Sequence, residues 1–408
     1  MFNQQYLSMA ALFLVILLDG MGVSLLFPIL NTIIFEPQHS ILPLTTNMAS
    51  REIYYSIVLG IFTGCWFFGT AIVSDLSDSI GRKKALMICV LGSAIGYILS
   101  ALAIIYHSIW LLIVSRIIDG FTVGNQPIAQ AAIIDISTPD TKARNIGFIL
   151  LSASIGFVFG PIAGGVLADD HLVRWFRPDV PLYLAALLSL LSIILLFWFY
   201  RDNRPPHKPL QLSLRHSVNI FIAAFTTPGV NLLTIPFLFC VLGWSSFFNY
   251  IAVYLYQIFQ FTTLHTGLYL AVVGVGFGIG SGYLCGRLAK HFNLRHIVIY
   301  TALITALGIL ITSLAPAMLW IWLVAPIVGA AGITCFSTLI NLFSDQVDAD
   351  SQGWVMGVTS AVAAFSFTIT GLTEGYLLHI NAHIPLLIAT VLLILCSFTM
   401  TLKYYRKS

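Results

Sequence analysis

Long apolar runs separated by short polar stretches make up most of the chain. An apolar run of about 20 residues is long enough to cross a lipid bilayer as an α-helix. The pattern predicts twelve transmembrane helices, at residues 8–33, 53–73, 84–106, 109–134, 145–167, 181–200, 231–257, 266–289, 296–314, 318–342, 354–378 and 384–403. The expected fold class is therefore an all-α membrane protein. No basic stretch precedes the first run and no small-residue cleavage signal follows it, so we interpret it as a retained helix and not as a signal peptide.

The composition also indicates a polytopic membrane protein. Hydrophobic residues make up 58% of the chain and charged residues only 9%, whereas a soluble domain carries about 25% charged residues. The net charge is +3 and the basic residues lie at helix ends, so we expect no nucleic-acid partner. Six cysteines fall inside apolar runs without metal-ligand spacing, and we interpret them as packing residues: Cys65, Cys89, Cys240, Cys285, Cys335 and Cys396. Neither a metal nor a cofactor is expected.

The distribution of basic residues predicts the orientation in the membrane. If the N-terminus is cytoplasmic, the inside segments carry 15 Lys and Arg residues and the outside segments carry 3, with Arg116 inside a span. Because cytoplasmic loops of membrane proteins are enriched in Lys and Arg, this asymmetry places both termini in the cytoplasm.

A long polar connection divides the chain into two halves. Residues 201–230 begin with the basic, proline-bearing stretch Arg201–His216, and Ser217–Val230 then predicts a short helix at the cytoplasmic interface. The connection separates a six-helix bundle at residues 1–200 from a second at 231–408. Three pairs of residues share an offset of 210 positions: Asp135 and Asp345, Asp140 and Asp350, and Gly147 and Gly357. The halves are therefore interpreted as parallel repeats with a binding site between them near the bilayer midplane.

The stretch GFILLSASIGFVFGPIAGG, residues 147–165, combines an apolar span with regularly spaced glycines. Gly156, Gly160 and Gly164 fall near one helix face, where small residues allow the backbone of another helix to come close. Pro161 removes a backbone donor and predicts a bend. The full spacing resembles motif C, the antiporter signature of the major facilitator superfamily, at Gly147, Gly156, Gly160, Pro161, Gly164 and Gly165.

The loop after the second span resembles motif A of the same superfamily. Its matching positions are Asp75, Asp78, Gly81, Arg82 and Lys83. Serines stand at 74 and 79, where the motif has a glycine and a basic residue. Acidic and basic groups beside a tight glycine turn can pair in one conformation and separate in another. The resemblance implies a gate in which Asp78 steadies the state closed to the cytoplasm.

Four charged residues lie well inside predicted spans, away from the span ends, where a charge is costly and indicates a cavity or a partner. The first span, with Asp19, Gly20, Gly22 and Pro28, resembles the first helix of the tetracycline/proton antiporters and their drug-exporting relatives. We interpret Asp19 as an acid linked to substrate or protons. Arg116 matches motif B, and Asp119 lies three residues further along the same helix face, where the two can pair. Glu374, in the outer third of the eleventh span, is interpreted either as an acid that binds a cation or a proton or as one that contacts water outside the membrane. A structural alternative for Asp19 is a neutral, hydrogen-bonded core residue.

Several uncharged polar and aromatic residues are candidates for lining a cavity. Amides inside a membrane either join helices or face a cavity, and aromatic residues either pack or contact a flat organic ligand. The candidates are Asn125, Gln126, Gln130, Trp244, Phe248 and Asn249.

The resemblance implies a twelve-helix transporter with two pseudo-symmetric six-helix bundles, which exchanges protons for a small organic or drug-like compound by alternating access. It implies a monomer in a bacterial inner membrane. Proton-coupled uptake of a nutrient, siderophore or amino acid is the alternative, because motif C describes packing and not direction. A channel is a further alternative, while an enzyme or receptor is not supported by any nucleophile–base pair or large loop.

Overall fold

The structure is a computed structural model that describes residues 4–123, 125–137, 139–202, 214–348 and 351–405. All the regular elements in these ranges are helical. The helices of the amino-terminal half are α1 Gln4–Phe35, α2 Met48–Ile80, α3 Arg82–Ile105, α4 Ile109–Thr122, α5 Asn125–Asp135, α6 Pro139–Leu167 and α7 Val180–Phe199. The remaining helices are α8 Leu214–Thr226, α9 Val230–Phe259, α10 Thr263–Ile279, a π-helical segment Gly280–Leu284, α11 Cys285–His291, α12 Leu294–Leu314, α13 Met318–Ser344, α14 Gln352–Ile380 and α15 Ile384–Tyr405.

Ten helices in the described ranges are long and apolar enough to cross a membrane. The two remaining predicted spans, 109–134 and 145–167, correspond to α4 with α5 and to α6. The prediction of an all-α membrane protein is confirmed. α6 runs without interruption through Pro161, which lies inside the helix.

Two predicted spans are not single α-helices. α4 ends at Thr122, because Val123 leaves the helical region with ψ 49°. α5 then begins at Asn125 and holds Pro127 in its first turn, where the missing N–H costs no helical hydrogen bond. In the predicted span 266–289, the π-helical segment Gly280–Leu284 separates α10 from α11, a local widening that α-helices adopt in short pieces.

The described residues form two compact units. The first contains the residues up to Leu214 together with Thr263–Leu268, and the second contains Arg215–Thr262 and the residues from Tyr269 onward. The boundary between the two units, after Leu214, falls inside the predicted linker at residues 201–230. α8 lies where the sequence predicts a short helix, and its position at a membrane surface stays a prediction.

In the first unit, α1 packs along α6 through glycines. A Cβ atom at Gly156 would overlap the carbonyl oxygen of Leu17, and one at Gly164 would lie 2.5 Å from the carbonyl oxygen of Leu25. Gly160 meets the backbone of α1 in the same way. The close approach predicted from the four-residue spacing is therefore present, and it sets the position of α1.

In the second unit, α9, α12, α13, α14 and α15 surround a common apolar core. Tyrosine hydroxyls donate to backbone carbonyls of neighbouring helices: Tyr250 to Gly371 at 2.8 Å and Tyr254 to Ser313 at 3.0 Å. These bonds satisfy the polar ends of large buried side chains.

Candidate functional site

A buried ion pair lies on α4 of the first unit. Arg116 Nη1 lies 3.1 Å from Asp119 Oδ2, and the two residues are only 1% and 3% exposed. The pairing predicted from their three-residue spacing is confirmed. Because the interior is a poor solvent for charge, each group depends on the other for compensation.

Neighbouring helices complete the surroundings of this pair. Arg116 Nη2 donates to Ser100 Oγ of α3 at 2.6 Å, and the guanidinium lies 5.8 Å from the ring centre of Phe62 on α2. Gly96 of α3 gives room to Asp119, since a Cβ there would lie 2.9 Å from the Cβ of Asp119. The Arg is thus fixed by three helices and cannot move without breaking these contacts.

A second buried carboxyl group, Asp19 of α1, faces the first. Its side chain hydrogen-bonds the amide of Asn125 and lies within electrostatic reach of Asp119. Asp19 is 9% exposed. The structure therefore brings together Asp19 of α1, Arg116 and Asp119 of α4, and Asn125 of α5, four residues that lie in two of the predicted spans.

A small polar cavity adjoins Asp19. It measures about 10 Å³, which is about the room that one water molecule needs. Its lining residues are Val15, Leu18, Asp19, Val90, Ser93, Tyr97, Asn125, Ser189 and Ser192.

Sequence analysis missed four of these polar residues, Ser93, Tyr97, Ser189 and Ser192, because uncharged hydroxyl side chains inside apolar spans carry no mark of function. Tyr97 lies within electrostatic reach of Asp19 and Asp119, and Ser93 lies beside Asp119. A Cβ at Gly22 would overlap the Tyr97 hydroxyl. In the sequence, Gly22 is therefore the residue that leaves room for the Tyr97 side chain beside Asp19.

The remaining cavity candidates lie elsewhere. Gln130 is half-buried on α5, and the side chains of Gln126 and Glu374 lie outside the described part, as do the surroundings of Gly147. In the second unit, Trp244 and Phe248 pack with centroids 6.0 Å apart.

Asn249 joins two helices of the second unit. It is buried on α9, and its amide donates to Thr370 Oγ1 of α14 at 3.1 Å. This hydrogen bond joins α9 to α14, which is one of the two roles that an amide can have inside a membrane.

The motif A residues link the start of α3 to the ends of α2, α5 and α7 within the first unit. Gly81 connects α2 to α3 with φ 95°, a conformation that side chains rarely adopt. Arg82 Nε lies 3.3 Å from Asp135 at the end of α5 and Nη1 lies 3.6 Å from Asp78. The Lys83 backbone N–H donates to Asp202 at 3.1 Å.

Two further contacts belong to this turn. The Lys83 ammonium donates to the carbonyl of Phe197 on α7 at 2.7 Å. The backbone carbonyl of Asp75 accepts from Ser79 at 2.7 Å. The turn between α2 and α3 is therefore attached to the C-terminal ends of α5 and α7 through the charged side chains of Arg82 and Lys83.

The comparisons with known proteins agree with this architecture. A family model described as Major Facilitator Superfamily matches residues 12–371. The tetracycline resistance protein, class C, of Escherichia coli is 27% identical over 364 residues, which cover 87% of this chain and 85% of that protein. Multidrug resistance protein 1 of Bacillus subtilis is 22% identical, with 86% and 89% covered.

A solved structure shows the same fold. The crystal structure of a D-xylose–proton symporter superposes with a TM-score of 0.78 at 15% identity, covering 98% of this chain and 97% of that chain. At this identity the likeness establishes the fold alone. Since the family model spans most of the chain, the protein belongs to the Major Facilitator Superfamily and is a multi-pass membrane transporter.

Proposed function

We propose that this transporter exports a small organic, drug-like compound in exchange for protons. Relatives named for tetracycline resistance and multidrug resistance match more than four fifths of the chain, which supports export over uptake. The motif C glycines, which fix α1 against α6, support the antiporter class by resemblance. We place both termini in the cytoplasm and the protein in a bacterial inner membrane as a monomer.

The observation that carries the proposal is the buried cluster of two carboxyl groups and one guanidinium. When all three groups are ionised, Arg116 balances Asp119 and the charge on Asp19 is left without a counter-ion. An uncompensated charge inside a protein within the bilayer costs several kcal/mol. A proton on the cluster removes this cost, and so does a cationic group of a substrate.

Competition between these two cations couples them. A proton and a cationic substrate cannot both neutralise Asp19, so binding of one favours release of the other. Asn125 holds Asp19 by a hydrogen bond, and the adjoining cavity gives space for a water molecule that delivers the proton. The cluster therefore supports a cationic or zwitterionic substrate.

The proposed gate is the turn at Gly81. Its neighbours Arg82 and Lys83 hold the ends of α5 and α7 through an ion pair to Asp135 and a hydrogen bond to the carbonyl of Phe197. A change in these contacts therefore accompanies a movement of the helix ends. By the resemblance to motif A, Asp78 steadies the state closed to the cytoplasm.

Transport in everted membrane vesicles tests the function. Under an imposed gradient with the vesicle interior acidic, radiolabelled tetracycline or another drug of a tested panel should accumulate in everted vesicles that contain the protein. Asp19→Asn should abolish gradient-driven accumulation at equal protein content. Asp348→Asn, the same change at an exposed loop position, should leave it intact. Gradient-driven accumulation only in right-side-out vesicles would replace export by uptake, and equal rates in Asp19→Asn would remove this residue from coupling.

A further inference from the structure

Three sulfur atoms meet in the interior of the second unit. Cys240 of α9, Cys335 of α13 and Cys396 of α15 have Sγ atoms that all lie within 4.8 Å of one another. The Cys240 and Cys335 sulfurs are 3.6 Å apart. The exposed fractions of the three residues are 2%, 0% and 0%. The three thiols, each from a different helix, therefore form one buried cluster.

The surroundings of the sulfurs are neutral. Cys335 Sγ donates to the backbone carbonyl of Val298 at 3.8 Å, and the Thr301 hydroxyl lies beside it. The cluster is embedded in the aliphatic and aromatic core of the unit. Such an environment penalises a site that carries net charge.

The number of thiols and the neutral surroundings select the occupant. Soft thiolate ligands prefer soft metal centres. Three thiolates leave two negative charges around a monovalent ion and one around a divalent ion, whereas a trivalent centre gives a neutral complex. Only the neutral complex avoids the cost of a buried net charge.

We propose that Cys240, Cys335 and Cys396 form a binding site for a trivalent, thiol-binding metalloid such as arsenic(III). Arsenous acid, As(OH)₃, reacts with three thiols to form three As–S bonds, and the three thiol protons leave with the three hydroxyls as three water molecules. No electron is transferred. The entering species and the product are both uncharged, so neither step places a net charge in the core.

Binding to the reduced, purified full-length protein tests the proposal, with arsenite as the probe. A background variant with Cys65→Ser, Cys89→Ala and Cys285→Ser retains only the three clustered thiols. Equilibrium dialysis should give one arsenic per chain in this background. X-ray absorption should show three sulfur neighbours around the arsenic.

Removal of one ligand provides the matched comparison. In the same background, Cys335→Ala and Cys396→Ala should each weaken arsenic binding by at least about tenfold, because three thiols held together act at a high effective concentration. The elution profile and unfolding midpoint identify a variant that fails to fold, and two independent variants keep the test decisive. Absence of arsenic from the background variant would overturn the proposal, as would undiminished binding in both alanine variants or tighter binding of zinc than of arsenic.

Discussion

The close contact between α1 and α6 yields a quantitative prediction for Gly164→Ala. The new Cβ atom would lie 2.5 Å from the carbonyl oxygen of Leu25 and 3.1 Å from Cγ of Pro28, whereas ordinary contact begins at 3.4 Å. The nearer neighbour is backbone and cannot rotate away, so the helices must separate by about 1 Å. Overpacking of this kind costs about 1–3 kcal/mol, and an alanine recovers at most about 1 kcal/mol through its better helix propensity.

Thermal unfolding of the purified protein in detergent measures this cost. The matched control is Gly278→Ala on α10, where nothing lies within 4 Å of the new Cβ. We expect the apparent midpoint of Gly164→Ala to fall several degrees below that of the control, which gains the same helix propensity without the overpacking, since about 1 kcal/mol corresponds to about 2–4 °C for a domain of this size. The control should match or exceed the parent. A midpoint of Gly164→Ala equal to that of the control would refute the argument that α1 and α6 are in direct backbone contact.

Three further predictions follow from named contacts. Gly81→Ala should lower the unfolding midpoint, because φ 95° with ψ 152° is a backbone conformation essentially confined to glycine and costs an alanine about 1–3 kcal/mol; an unchanged midpoint would contradict the strained turn. Tyr97→Phe removes the hydroxyl near the two carboxyl groups and keeps the ring, so it should slow drug-driven proton exchange in vesicles at unchanged protein content. An unchanged exchange rate would show that the Tyr97 hydroxyl has no part in proton exchange. Burial raises the pKa of the Glu36 carboxyl group above its usual range. The hydrogen bond from the Thr32 hydroxyl, at 3.1 Å, offsets only part of this rise. The ionised carboxylate is therefore the destabilising form, so Glu36→Gln should raise the midpoint more at pH about 8 than at pH about 4, and an equal effect at both would be evidence against this shift.

Local patterns in the sequence are sufficient for part of the structure. Hydrophobic runs predict the spans because the bilayer thickness fixes the helix length. Gly156, Gly160 and Gly164 predict the face of α6 that meets α1, since a spacing of four keeps them near one side of a helix. Arg116 and Asp119 predict their own ion pair for the same reason.

Features built from several helices cannot be predicted from local sequence patterns. The cavity beside Asp19 needs Ser93 and Tyr97 of α3 and two serines of α7, and no local pattern joins these helices. The cysteine cluster joins residues 240, 335 and 396, which lie far apart in sequence, so their spacing gives no metal-ligand signature. The interruption at Val123 was also missed, because residues 109–134 read as one apolar run.

The coupling of drug movement to proton movement through Asp19 and Asp119 is tested most directly in proteoliposomes. A pH-sensitive dye inside the vesicles reports protons that move when a transported drug is added to one side, in the presence of an imposed pH gradient. The parent protein should dissipate the gradient only when the drug is present, while Asp19→Asn and Asp119→Asn should leave it intact under the same conditions. Drug-dependent dissipation at the parent rate in both variants would contradict a role for these carboxyl groups in proton exchange.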